Sequence, residues 1–221
     1  ALAYHHGIMP NHTLHAANLL KLDYLAEAGN HPSPCPIVDV HTHLSGNDAV
    51  RCYQRAADAY GITLTYSMTP LDQVETVQSI LGERVRFIAV PDFAQEDRLH
   101  AHGEGFLERI RAFHDLGSRI VKFWSAPRGI DYGIESGNPG LLALDSPQRL
   151  AAMDLASELG MMFMTHVSDP DTWFETRYTD AQRYGTKRDQ YEPLERLLDR
   201  YQQPWIAAHM GGWPEDLPFL D

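Results

Sequence analysis

Two histidines stand at alternate positions near residue 40. They belong to the segment His41-Thr42-His43, which directly follows the β-rich run Ile37–Val40. Side chains alternate across a β-strand, so the strand that this run predicts has His41 and His43 on one face, together with Asp39. Burying two neighbouring imidazoles is unfavourable unless their nitrogens find partners, and one divalent metal ion can serve both. The pattern indicates either a metal site or a pair of exposed or hydrogen-bonded histidines at a strand end.

Two more histidines end later apolar runs. His166 follows Met161–Thr165, and His209 follows Trp205–Ala208. If these runs are parallel strands, all four histidines lie at the C-terminal ends of strands, which is where α/β barrels and open α/β sheets place their sites. Imidazole ligands suit zinc first, with iron, nickel and manganese as alternatives. The recurrence therefore predicts a site for a divalent metal ion, most readily zinc.

The elements that must position these histidines alternate between two hydrophobic periodicities. Six short β-rich runs predict strands, at Ile37–His41, Ile62–Tyr66, Val85–Val90, Arg119–Trp124, Met161–His166 and Trp205–His209. Helical patterns lie between them, and Thr69-Pro70 and Ser146-Pro147 each pair a capping residue with the proline that often begins a helix. Parallel neighbours need a crossover long enough to hold a helix, so the order predicts an α/β fold with a parallel sheet.

The chain divides into an N-terminal segment and one larger domain. In residues 1–36, the pattern predicts an amphipathic helix at roughly 12–28, followed by a Pro-rich linker. Residues 37–221 contain the six strand–helix units. Two connections are long, Ala126–Ala143 after the fourth strand and Ser168–Gln190 after the fifth. Both leave the C-terminal ends of strands, so we expect both to contact the substrate.

Composition excludes several classes of partner. The 221 residues contain 18 Lys plus Arg against 30 Asp plus Glu, a formal net charge of −12. Clustered cations are lacking, so we expect no binding to nucleic acid or to an anionic membrane. Apolar runs fall far short of the ~18 residues of a spanning helix. Cys35 and Cys52 form no C-x-x-C motif, which favours a reducing compartment and a cytoplasmic protein.

Taken together, the histidine motifs resemble the amidohydrolase superfamily, in particular its amidohydrolase-related branch of metal-dependent hydrolases and non-oxidative decarboxylases. The matching residues are Val38–His43, the strand-terminal His166, and Ala208-His209-Met210-Gly211-Gly212. The resemblance extends from about residue 37 to the end of the chain. It implies a TIM-type (β/α)₈ barrel, with His41, His43 and His166 on the metal ion and His209 beside it as ligand, acid/base or water-orienting group.

The chain departs from the family pattern after His209. The resemblance implies an aspartate at the end of an eighth strand, acting as metal ligand and base, and no residue here corresponds to it. Six units cannot close an eight-stranded barrel. We therefore expect six of the eight barrel units in this chain and the last two beyond it, with an open sheet of six units as the alternative. This leaves the activity of the 221 residues alone open.

Four further residues are candidates for binding the substrate. Lys122 would point inward from the fourth strand to bind a substrate anion or form a hydrogen bond, and a lysine reaching solvent from the strand end is the alternative. Arg128 and Arg177, one in each long loop, could clamp a carboxylate. Trp173 could cover an apolar or aromatic group, or it could pack its loop.

Six further histidines are expected to lie in solvent. His100-x-His102 repeats the spacing of the first motif, but it follows a polar stretch, which predicts a solvated loop leading into a helix. His5, His6, His12 and His15 have no strand context and are expected at the surface.

Three functions are compatible with these residues. The first is a metal-dependent hydrolase that acts on an amide, lactone or ester of a small molecule through a metal-activated water. The second uses the same site for non-oxidative decarboxylation of an aromatic or unsaturated carboxylic acid. The third is a binding or structural protein that keeps the barrel scaffold but catalyses no reaction. The four strand-end histidines argue against this third function, because a scaffold does not need them. The sequence leaves the oligomeric state open, a homo-oligomer included.

Overall fold

Strands and helices alternate in the computed structural model, which describes residues 18–220. The strands are β1 (Ile37–Thr42), β2 (Ile62–Ser67), β3 (Val85–Phe87), β4 (Ile120–Ser125), β5 (Met162–Val167) and β6 (Trp205–Ala207). The helices are α1 (Tyr24–Asn30), α2 (Asn47–Tyr60), α3 (Val74–Leu81), α4 (Arg98–His102), α5 (Glu104–Asp115), α6 (Arg128–Glu135), α7 (Pro147–Glu158), α8 (Asp171–Thr176), α9 (Ala181–Tyr184), α10 (Glu192–Arg200) and α11 (Leu217–Leu220). None of these helices has the length and hydropathy of a membrane span.

The strands form two parallel sheets of three strands each. The first has the order β1-β2-β3 and the second β4-β5-β6, so neighbours in each sheet follow chain order. An isolated parallel bridge between Ala89 and Val121 links the sheets. There the Ala89 N–H donates to the carbonyl of Ile120 and the Lys122 N–H donates to the carbonyl of Ala89, both at 2.9 Å. The predicted α/β class with parallel strands is confirmed.

The predicted TIM-type barrel is wrong. Within residues 18–220 there are six strands, β3 and β6 are three residues long, and no strand pairing joins β1 to β6. A barrel of this type closes only when eight tilted strands each have two hydrogen-bonded neighbours. Hydrophobic alternation identifies the strand–helix units but says nothing about the partners of edge strands, so it cannot decide closure.

One hydrophobic core receives side chains from both sheets. Phe87 and Ile88 come from the first half of the chain and Phe123 and Phe163 from the second, and all are almost fully buried. Phe163 packs edge-on against Phe123 and Trp205, with ring centres 5.6 Å and 4.8 Å apart. Burial of one such side chain contributes about 2 kcal/mol, so this core holds the strand ends in fixed relation.

The two predicted helix starts have different outcomes. Ser146 caps α7 as predicted, since its Oγ accepts the N–H of Arg149 at 3.3 Å and Pro147 is the first helical residue. The buried Thr69 does not cap α3. Its hydroxyl pairs with Ser67 Oγ at 2.9 Å, and a short 3₁₀ turn at Leu71–Gln73 precedes the helix.

The predicted N-terminal helix is displaced along the chain. Its first part, like His5, His6, His12 and His15, lies outside the described residues. Helix α1 starts after Asp23, whose carboxylate accepts the N–H groups of Leu25 and Ala26 at 3.1 Å and 3.2 Å. This capping aspartate sets the start of the helix, which continues to Asn30, past the predicted end.

Candidate metal centre

Four histidines gather at the C-terminal ends of β1, β5 and β6. His41 lies in β1, His43 just after it, His166 in β5 and His209 just beyond β6. The ring centres of His41 and His209 are 4.7 Å apart, those of His166 and His209 4.9 Å, and those of His41 and His43 5.7 Å. Side chains distant in the sequence therefore form one cluster, which is called the histidine cluster below.

Strand β1 is irregular near its C-terminal end, where His41 and His43 lie. Its pairing with β2 shifts register between Asp39 and Thr42. The Asp39 carboxylate accepts a hydrogen bond from Tyr53 of α2 at 2.9 Å, whereas His41 Nε2 lies 3.4 Å from Lys122 Nζ. Asp39 is thus occupied by a helix contact, although simple alternation placed it with the histidines.

Lys122 lies against the histidine cluster and is only 6 % exposed. Burial lowers the pKa of its ammonium to about 8. Burial first, and then the charge of Lys122, lower the pKa of His41 to about 4 and lower that of His43 as well. These imidazoles are therefore neutral near pH 7, which is the form that binds a metal ion or accepts a proton.

His209 occupies a strained backbone position. Its φ is 57° and its ψ 45°, in the left-handed region. The neighbouring Met210 and Ser168, the first residue after β5, also have positive φ values of 55° and 68°. Such conformations cost roughly 1–3 kcal/mol each and cluster at functional sites. Burial lowers the pKa of His209, followed by the charges of His166 and Lys122, and the charge of Asp169 opposes them.

A close backbone contact brings the ends of β5 and β6 together. A Cβ atom on Gly212 would lie 1.9 Å from the carbonyl oxygen of Val167, and the φ of Gly212 is +84°. Only glycine fits this position, for reasons of both space and conformation. The turn after His209 can therefore pack directly onto the end of the strand that carries His166.

Asp169 places a buried carboxylate beside the histidine cluster. Its Oδ1 is 3.4 Å from His166 Nε2, its Oδ2 accepts a hydrogen bond from the Tyr178 hydroxyl at 2.7 Å, and the residue is 8 % exposed. Asp169 is not among the site residues predicted from the sequence. The available signal was an acidic side chain three positions after a strand-end histidine, at the start of a predicted substrate loop.

A cavity of about 1140 Å³ opens over the cluster. All four clustered histidines line it, together with Lys122 and Arg128. Within residues 18–220, the exposed Arg128 guanidinium forms no ion pair. The volume is slightly above the usual range of small-molecule sites, about 300–1,000 Å³. The structure therefore brings six of the eight predicted site residues to one cavity.

The other two predicted substrate residues do not line the cavity. The guanidinium of Arg177 lies 4.2 Å from the ring centre of Trp173, and the Trp173 ring centre is 6.0 Å from that of Tyr178. These residues pack the loop after β5 and hold Tyr178 in place. Sequence alone cannot distinguish an aromatic residue that packs a loop from one that contacts a substrate.

His102 corrects another expectation. The predicted solvated loop is helix α4, which Asp97 caps by accepting the N–H of His100 at 3.0 Å. Residues two apart face different sides of a helix, so His100 is exposed while His102 is fully buried, with Nε2 3.2 Å from the Tyr132 hydroxyl. Burial is the main reason that the pKa of His102 falls to about 3.

The imidazole nitrogens of the histidine cluster are suitable ligands for a zinc-like ion, but in this structure they do not point to one common ion position. Two imidazoles on one tetrahedral zinc ion have ring centres roughly 5 Å apart, given Zn–N bonds of about 2.1 Å, and the observed spacings are close to this. No group of three or more His, Cys, Asp or Glu side chains within residues 18–220 is arranged to hold a metal ion as it stands. Binding would need the rings to reorient.

Comparison with known proteins adds no family to this description. No protein-family model matches the chain, and no curated protein is similar to it. A function therefore has to follow from the side chains of the cavity.

Proposed function

We propose that this protein is a metal-dependent hydrolase of the amidohydrolase type, acting on an amide, lactone or ester of a small molecule. The observation that carries the proposal is the gathering of four imidazoles, from three strand ends, in the wall of one cavity. Partial burial lowers the pKa of His41 and of His43, so these imidazoles are neutral near pH 7, which is the form a metal site needs. This favours an enzyme over a non-catalytic relative.

His41, His43 and His166 would hold the ion. When bound, it would supply a more acidic water and a polarised carbonyl. Lys122 Nζ stands beside His41 Nε2 and lines the same cavity, so its ammonium can donate a hydrogen bond to a substrate oxygen. Burial lowers the pKa of His209, so its imidazole is neutral near pH 7 and can accept a proton from the attacking water and return it to the leaving group.

A specific observation keeps the decarboxylase as a second candidate. The cavity wall combines Lys122 and Arg128 with the rings of Trp124 and Tyr132. Its other two cations, Arg98 and Arg109, form ion pairs with Glu135 and Asp92. A planar carboxylate would find both charge and stacking partners there. Release of carbon dioxide from such an acid, instead of an amine or alcohol from an ester or amide, would select this second function.

The first experiment measures metal content. The purified chain, loaded with Zn²⁺ and desalted, is expected to retain about one equivalent, because three imidazoles provide the ligand number of a catalytic zinc site. The His41→Ala, His43→Ala double variant is expected to lose it. His100→Ala removes an exposed histidine of an H-x-H pair elsewhere and should keep the full amount.

Turnover is then followed on a panel of lactones, esters and amides. The loaded wild type and His100→Ala should be equally active and the double variant inactive. A wild type that retains no metal, or a double variant that retains as much as the wild type, would contradict the proposed function.

A further inference from the structure

A buried nitrogen of the histidine cluster lacks a hydrogen bond. His166 Nε2 is buried and has no hydrogen-bond partner within residues 18–220. Buried ring nitrogens are rarely left unpaired, since the loss of solvation is not compensated. The Asp169 carboxylate oxygen at 3.4 Å is the charged acceptor within reach, although the contact does not meet hydrogen-bond geometry in this structure.

Asp169 is itself held in place. The Tyr178 hydroxyl donates to its second oxygen, and Tyr178 is 6 % exposed. The Tyr178 ring packs against Phe174 and Tyr184, with ring centres 5.3 Å and 5.1 Å apart. The aromatic residues of the loop after β5 therefore fix a carboxylate whose free oxygen faces His166.

The two nitrogens of a neutral imidazole have opposite roles, and a hydrogen bond at one decides the role of the other. If Nε2 carries the proton and donates it to Asp169, Nδ1 keeps its lone pair. Partners of this kind orient metal-binding histidines and increase their basicity.

We propose that Asp169 is a positioning residue for the histidine cluster: it accepts the Nε2 proton of His166, fixes one tautomer of that ring, and leaves Nδ1 as the binding nitrogen. Tyr178 holds the carboxylate for this purpose. The link to metal binding rests on the proposed function, whereas the assignment of the tautomer does not.

The first test is made without metal. In chelator-treated protein with ¹⁵N-labelled histidine, long-range proton–nitrogen NMR spectra report which ring nitrogen carries the proton. His166 is expected to be protonated at Nε2 in the wild type, and Asp169→Ala is expected to convert it to a mixture of tautomers. Asp169→Asn keeps an acceptor oxygen and the side-chain shape, so it should retain the Nε2 tautomer and serves as the variant of choice if Asp169→Ala does not fold.

The second test measures Zn²⁺ affinity by chelator competition. Asp169→Ala is expected to weaken binding by about 10- to 100-fold, which is typical when such a partner is lost. Tyr178→Phe keeps the ring and loses the hydroxyl, so a smaller loss is expected. Glu175→Ala removes an exposed carboxylate from α8 in the same loop and should leave the affinity unchanged.

Two results would overturn the assignment of Asp169: a wild-type His166 protonated at Nδ1, or a tautomer that Asp169→Ala leaves unaltered. A wild type that binds no zinc would instead defeat the proposed metal function, and the NMR measurement would still decide the role of Asp169.

Discussion

Burial decides the chemical state of individual histidines in this protein. It is the largest cause of the lowered pKa values of His41, His43, His102 and His209. The first, second and fourth of these line the cavity, where a neutral imidazole is useful. His102 does not line it, and its neutral ring serves the packing of α4 against Tyr132.

This burial makes stability dependent on pH. The pKa of His102 is about 3 in the folded protein against 6.5 for a free side chain. Above about pH 6.5 the His102 imidazole is neutral in both the folded and the unfolded protein. Below this pH the imidazole binds a proton in the unfolded protein but stays neutral in the folded protein. The free energy of unfolding is therefore expected to fall as the pH decreases from 6.5 towards 3.

His102→Gln removes the titration and keeps a polar group near Tyr132. Between about pH 7.5 and about pH 5, the wild type is expected to lose about 2 kcal/mol more unfolding free energy than this variant. Urea denaturation at both pH values measures the difference. His100→Gln, at an exposed site on the same helix, should behave as the wild type. Parallel losses in His102→Gln and the wild type would contradict the expectation.

At the scale of elements, local capping chemistry was predictable only where no tertiary partner competed. Ser146 caps α7, since its hydroxyl faces the free N–H groups of the first turn. Thr69 is likewise a hydroxyl residue followed by proline, but its hydroxyl forms a hydrogen bond with the Ser67 hydroxyl inside the protein. The last strand is also shorter than its apolar run, because the chain leaves the sheet in the left-handed turn at His209 and Met210.

Ser146→Ala tests the contribution of the cap. Alanine removes the Oγ contact with the Arg149 N–H and the hydrogen bond that Oγ donates to the Leu141 carbonyl, so the free energy of unfolding is expected to fall by about 1 kcal/mol. Ser79→Ala is the matched control, since Ser79 is exposed in the last turn of α3, where alanine favours the helix. Chemical denaturation measures both, and an equal effect of the two substitutions would show that the cap contributes nothing.

For the molecule as a whole, the sequence was informative about local order and much less about closure. Six strands and their parallel direction could be predicted, because periodicity is a local property. The meeting of four histidines followed from that direction, since parallel strands of an α/β fold place their C-terminal ends at one edge. The barrel could not, since edge pairing depends on chain-wide geometry. Asp169 was missed for a related reason: its importance comes from Tyr178 and His166, which only the folded loop brings to it.

The shared core predicts that the two sheets unfold together. Ile88→Ala, a fully buried change in the first half of the chain, is expected to lower the free energy of unfolding by about 2–5 kcal/mol. All four tryptophans lie in the second half, at 124, 173, 205 and 213. Tryptophan fluorescence and far-ultraviolet circular dichroism should therefore shift by the same amount during urea denaturation.

The control for this experiment is Val38→Ala, which shortens a side chain on β1 that is 48 % exposed and should change the stability little. A circular dichroism transition that moves while the fluorescence transition stays would show that the two sheets are independent.

The contact between Gly212 and the Val167 carbonyl has a consequence for attempts to alter this protein by directed evolution. Any side chain at residue 212 pushes apart the two segments that present His166 and His209. A library randomised around the cavity would therefore return glycine at this site whatever reaction is selected. New specificities must come from the walls formed by other segments, such as the one that carries Arg128.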